Sequence, residues 1–215
     1  MFKKIFILIK VVVFIHLLFC LINGEWTATF NCLFNFVLLF VSDLVYKKLG
    51  YSGIFQLAIY LFITGSLLLG EVYYFYVRVW YFDIIMHMLS SFIASGLLFY
   101  TLRYLKVKMK FSLLILFIFS FAMMVAALWE ITEFTIDRVF NIDMQKDTII
   151  GEINSTLLSS DGKSVVKKKI NNMKIGDTVA NGYIDIGLYD TIEDMICATL
   201  GSIVFIISGK LRKLF

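Results

Sequence analysis

Proline is absent from all 215 residues, and histidine occurs only twice. Without proline no helix here is kinked by a missing N–H or stopped by a ring clash, so breaks must come from glycine or polar side chains. Charge is scarce as well: 17% of residues are charged, against about 25% in soluble domains. The three cysteines, Cys20, Cys32 and Cys197, form no CxxC pair and no Cys/His zinc spacing, which excludes a zinc finger or a thioredoxin-type motif. Cys20 and Cys32 fall near the same ends of neighbouring apolar runs, so a disulfide and plain apolar packing are both open there, packing being the simpler.

Apolar side chains, by contrast, make up 60% of the chain. A soluble fold of this length has too little interior for them, so the expected solvent is lipid. The length suits one polytopic domain over 1–215, with no room for a separate soluble enzyme. The net charge of +4 comes from basic residues gathered in certain loops. They read as topology signals; membrane lipids are the expected partners, nucleic acid is not, and the sequence names no protein partner. The absence of proline beside abundant Lys, Asn and Ile fits an AT-rich bacterial source. Lys3 and Lys4 precede an apolar run over 5–22 that is longer than a signal-peptide core and has no A-x-A site after it, so it reads as the first span.

Six apolar stretches are expected to cross a bilayer, over 5–22, 27–45, 54–69, 82–100, 111–131 and 188–208, the fifth continuing as helix to about 140. Four basic groups then fall on one side: Lys3, Lys4 and Lys10; Lys47 and Lys48; Arg103, Lys106, Lys108 and Lys110; Lys210, Arg212 and Lys213. The short opposite loops hold only Glu25, Glu71 and Arg78. Both termini are therefore expected in the cytoplasm of a bacterial plasma membrane protein. The long loop over 141–187 then lies outside. Its β-branched stretches 148–158 and 164–170 flank a Ser-Ser-Asp-Gly-Lys turn, which predicts a small extracytoplasmic β-hairpin between helices five and six of an all-α six-helix bundle.

The acids are not scattered. Asp83 and His87 are spaced i,i+4; Glu130, Glu133 and Asp137 i,i+3,i+7; Asp190 and Asp194 i,i+4, with Glu193 beside them. Each set shares a helix face. Asp83, Glu130 and Asp190 each stand twenty residues from a basic anchor (Arg103, Lys110, Lys210), about 30 Å of helix. Three spans would thus present acids in one layer at the outer edge of the hydrocarbon. Such groups cost about 2.5–3.5 kcal/mol each at mid-helix by insertion scales, less at the edge. Protonation, water, a basic partner such as Arg138 or a cation must offset that. Carboxylates plus one imidazole on facing helices are the ligand set of a divalent-metal site, with Mg, Mn, Fe or Zn as the candidate ion and Asp83, His87, Glu130, Glu133, Asp190 and Asp194 as candidate ligands.

A blander explanation covers part of this. Asp83 and Asp190 sit where acids cap helices and offset the macrodipole. It does not cover His87, nor Glu130, Glu133 and Asp137 at the C-terminal part of their span. His16, mid-span in the first helix, reads as a hydrogen-bonded packing residue, and the aromatic run over 73–81 as an interfacial belt. Below the acids, the stripes Ser90, Ser91, Ala94 and Cys197, Ala198, Gly201 allow close helix approach.

The segments Phe82-Asp83 to His87-Met88-Leu89-Ser90, Ala127-Leu128-Trp129-Glu130-Ile131-Thr132-Glu133-Phe134, and Asp190-Thr191 to Asp194-Met195 with Gly201 resemble the bacterial YjdF-like membrane-spanning family, and more loosely the VanZ-like proteins. The resemblance covers roughly 70–201. It implies a bacterial membrane protein; the VanZ-like link to glycopeptide resistance points to the outer membrane face and envelope lipids. The residues support a metal-dependent hydrolase or transferase, with Asp137 or Glu193 as general base and Arg138 orienting an anionic headgroup, and the resemblance implies a lipid or envelope precursor as its substrate. A cation- or proton-coupled transporter using the same carboxylates, or a membrane scaffold recruiting a partner through the hairpin, are the alternatives.

Overall fold

The apolar runs become helices because, without proline, nothing interrupts their backbone hydrogen-bond ladders. A computed structural model describes residues 2–208; the C-terminal basic anchor Lys210, Arg212 and Lys213 lies outside the described residues. Helix α1 (Phe2–Ile22) turns back at Gly24, and α2 (Trp26–Leu49) stops at Gly50. The left-handed backbone of Gly50 (φ 64°) lets its N–H reach the Tyr46 carbonyl. Ser52 Oγ accepts from Phe55 N–H at the start of α3 (Gly53–Thr64). That span then continues as a π-helical segment, Gly65–Val72, the kind of break a proline-free helix can make. After the single turn α4 (Phe75–Arg78) come α5 (Phe82–Tyr104), α6 (Phe111–Phe140) and, beyond the long connection, α7 (Leu188–Ile207).

Among the described residues, five helical stretches are long and apolar enough to cross a membrane: Phe2–Ile22, Trp26–Leu49, Gly53–Val72, Phe82–Tyr104 and Phe111–Phe140. α7 has the length but carries Asp190, Glu193 and Asp194 in its first two turns. Ile15, Phe19, Phe30 and Leu44 are more than half exposed on α1 and α2. Helices that turn large apolar side chains outward have lipid as their solvent.

The chain divides into two compact units, Met1–Ala127 with Asp194–Phe215, and Leu128–Glu193. In the first, Phe55 and Ile59 of α3 pack with Ile93, Phe99 and Tyr100 of α5, Leu114 and Ile118 of α6, and Phe205 of α7. A Cβ on Gly96 would meet the Phe55 ring at 2.2 Å, so only glycine admits that ring against α5. A second cluster joins Val13 and Cys20 of α1, Cys32 and Leu39 of α2, and Tyr60. Cys20 and Cys32 are buried there as unbridged thiols, so packing and not a disulfide is what these two cysteines provide.

The second unit holds the connection between α6 and α7. Its six short strands form three antiparallel pairs where the sequence predicts one hairpin. β1 (Thr148–Ile150) pairs with β6 (Tyr183–Asp185), drawing together the two ends of the connection. Inside it, β2 (Glu152–Ser155) pairs with β3 (Val166–Lys169), and β4 (Met173–Ile175) with β5 (Thr178–Ala180). The turn between β2 and β3 is organised by Asp161, which accepts from the backbone N–H groups of Lys163 and Ser164 and from both the Ser164 and Ser159 hydroxyls.

Candidate metal centre

Asp83 lies in the first turn of α5, where the exposed helix N–H groups favour an acid, and His87 follows one turn later on the same face. Asp194 sits in the second turn of α7. Two features bring these helices together. A Cβ on Gly201 would lie 2.0 Å from the Met88 carbonyl oxygen, so the backbones touch at that point. Next to Gly201, Ser202 Oγ accepts from Ser95 Oγ at 2.9 Å. Both His87–Asp194 and Ser95–Ser202 are offset by 107 residues (194 − 87 and 202 − 95), so α5 and α7 run parallel.

The result is a cluster of three donors on two helices. His87 Nε2 is 3.4 Å from Asp83 Oδ1 and 3.4 Å from Asp194 Oδ2. All three atoms lie within 4.8 Å of one another. Exposure is 9% for Asp83, 7% for His87 and 3% for Asp194, so the charges have left bulk water. A tetrahedral ion held at 2.0–2.1 Å sets neighbouring ligand atoms about 3.3–3.4 Å apart, the spacing of His87 Nε2 from each of the two carboxylates. Ser91, one further turn along the same face of α5, is 2% exposed, and its Oγ has no hydrogen-bond partner among the described residues.

Glu130, Glu133, Asp137 and Asp190 belong to the second unit. Glu130 and Glu133 are buried on one face of α6 in the second unit, with carboxylate oxygens within 4.8 Å of each other. Trp129 Nε1 donates to Glu133 Oε1 at 2.8 Å. Asp137 accepts from the backbone N–H groups of Met144 (2.6 Å) and Gln145 (3.0 Å), so it clamps the chain where it leaves α6. Asp190 accepts from Lys146 N–H at 3.0 Å, and Gln145 Nε2 donates to Thr191 Oγ1 at 2.7 Å, fastening the same connection at the start of α7. These two aspartates have backbone work that their spacing alone did not reveal. Glu193 and Arg138 are exposed, Arg138 with its guanidinium 5.3 Å from the Phe134 ring centre. His16 hydrogen-bonds Tyr73 OH at 2.7 Å, the packing role its mid-span position implied.

One polar group has no counterpart in the sequence reading. Lys10 of α1 forms an ion pair with Asp43 of α2, whose other oxygen accepts from Gln56 Nε2 (3.1 Å) and Tyr60 OH (2.8 Å) of α3. The signal was available as one cation and one anion, each isolated in a neighbouring apolar run, since such groups in lipid pair with one another.

The model of a family described as "Predicted membrane protein (DUF2238)" matches residues 2–213. No curated protein and no solved structure matches the chain.

Proposed function

The chain belongs to the DUF2238 family of predicted membrane proteins, and on that premise we propose that it binds one divalent cation through Asp83, His87 and Asp194 to hydrolyse, or transfer a group on, a lipid or cell-envelope precursor. The observation that carries this reading is a single imidazole nitrogen 3.4 Å from carboxylates on two different helices, deep enough to be shielded from water. Mn, Fe and Zn each accept one nitrogen and two oxygen donors, and Mg accepts the carboxylates. Three protein donors leave a coordination position open, as in catalytic sites, where structural zinc sites are closed by four. A cation there would supply an activated water or polarise a phosphoryl or carbonyl oxygen.

Membrane placement belongs to the same reading: six spans, both termini cytoplasmic, in a bacterial plasma membrane. The parallel register of α5 and α7 supports counting α7 as the sixth span, because α7 follows α5 from Asp194 past Ser202. The cation site then lies near the outer leaflet, with the strand pairs of the connection on that same side. The motif resemblance to YjdF-like and VanZ-like proteins directs the search for substrate to envelope lipids. Asp43, in the opposite half of the helices, is paired with Lys10, which disfavours a cation pathway through that carboxylate.

The test is a thermal shift on metal-stripped protein in detergent with Mg, Mn, Fe(II) or Zn. A saturating ion at about a hundred times its Kd adds about 2.7 kcal/mol, hence about 5–10 °C in Tm for a chain of this size. Asp194→Asn should abolish the rise. No rise with any of these ions would remove the cation from the proposal.

A further inference from the structure

At the end of α5 remote from Asp83, the chain turns through residues 105–110 into α6, and a cavity of about 810 Å³ opens at this turn. Four exposed cations line it, Arg103, Lys106, Lys108 and Lys110, none ion-paired among the described residues. The rest of the lining is apolar, with Phe99 and Leu114 belonging to the buried core and Leu102 packed against it. The turn is fixed by its backbone: Lys106 takes a left-handed conformation (φ 56°), its N–H donates to the Arg103 carbonyl, and Val107 N–H donates to the Leu102 carbonyl, each at 3.0 Å.

We propose that this cavity is a binding site for an anionic phospholipid, its phosphate held by the four cations and the start of its acyl chains laid against Phe99, Leu102 and Leu114. Depth argues for lipid. α5 has 23 residues, about 34 Å of helix, close to the roughly 30 Å of bilayer hydrocarbon. With Asp83 at one interface, Arg103 stands at the headgroup layer of the other, and Phe99 one turn inside it. Chemistry argues for an anion: unpaired cations clustered beside lipid recruit acidic headgroups, each worth about a factor of five. Positive charge that only sets topology needs no cavity with apolar walls. Lys3 and Lys4, exposed near the start of α1, are charges of that simpler kind.

The test compares full-length protein with the Lys106→Gln/Lys108→Gln variant, which keeps Arg103 and Lys110 as topology signals, and with Lys3→Gln/Lys4→Gln as the charge-matched control. Each is reconstituted in bilayers of equal phosphatidylglycerol and phosphatidylcholine, and the lipids retained on release are counted by native mass spectrometry. The wild type should retain phosphatidylglycerol in clear excess. The loop variant should lose that retention about tenfold or more, and the control should keep it. Glycerol 1-phosphate, which has an anionic phosphate but no chains, should not displace the lipid. Equal retention of both lipids by the wild type would overturn the proposal even if the loop variant failed to insert. So would equal loss in both variants, which would mark general surface charge, or displacement by glycerol 1-phosphate, which would mark a phosphate site without lipid.

Discussion

A methyl group on Gly201 would lie 2.0 Å from the carbonyl oxygen of Met88, the residue after His87. The atom it meets is backbone, which has no rotamer to turn away, so the helices themselves must separate. Gly201→Ala is therefore expected to cost about 1–3 kcal/mol, the usual penalty for overpacking, and to lower Tm by several degrees. It should also blunt any stabilisation by divalent ions, because Asp194 rides on the displaced helix two turns away. An unchanged Tm would contradict the backbone contact. The sequence exposed the small-residue stripe through Gly201 but not its partner atom, since a stripe gives a face and not the residue it touches. The same limit hid the pairing of Lys10 with Asp43. Each residue was visible as an isolated charge, but their meeting depends on how α1 and α2 pack.

Among the elements, the helices were the most legible. Long apolar runs without proline leave the backbone one way to satisfy itself in lipid, and α6 extends to Phe140 as its pattern implied. The π-helical stretch Gly65–Val72 was not legible, because a widened helix keeps the composition of an ordinary one. In the connection, β2 and β3 flank the turn that Ser-Ser-Asp-Gly-Lys announced, while the pairs β1–β6 and β4–β5 were too short to stand out. That turn carries a pH prediction. Hydrogen bonds from the Ser159 and Ser164 hydroxyls, then from backbone N–H groups, hold the Asp161 carboxyl below the usual carboxylate range. A group whose folded pKa is depressed stabilises above its unfolded pKa and loses that contribution as pH falls through the folded value. Amide-exchange protection at Lys163 and Ser164 should thus be unchanged from neutral pH down to the ordinary aspartate range, and fade only below it. Asp161→Ala should abolish it at every pH. Protection that disappears already near pH 5 would show that the Asp161 bonds do not organise the turn.

At the scale of the whole molecule, spacing made the candidate site half legible. Asp83 and His87 share a face because they are i,i+4, and Asp194 was placed at matching depth by counting from basic anchors. Asp190 matched that depth equally well, and Asp137 shared a face with Glu130 and Glu133, yet both hold backbone N–H groups, a use that depends on how the connection folds back on its helices. Topology is open to a direct check. In cells, a cysteine at position 159 should react with a membrane-impermeant maleimide and one at position 106 should not, on a background with the native cysteines replaced. The reverse labelling would move the site to the inner leaflet and remove envelope precursors as substrates. The most direct measurement is elemental analysis of detergent-purified protein beside an Asp83→Ala/His87→Ala/Asp194→Ala variant of equal monodispersity. Mn, Fe or Zn near one per chain in the wild type and absent from the variant is the result expected, with a Mg titration standing in if that weakly held ion is the native one. Equal metal in both proteins, or none in either with no divalent effect on Tm, would contradict a cation held by Asp83, His87 and Asp194.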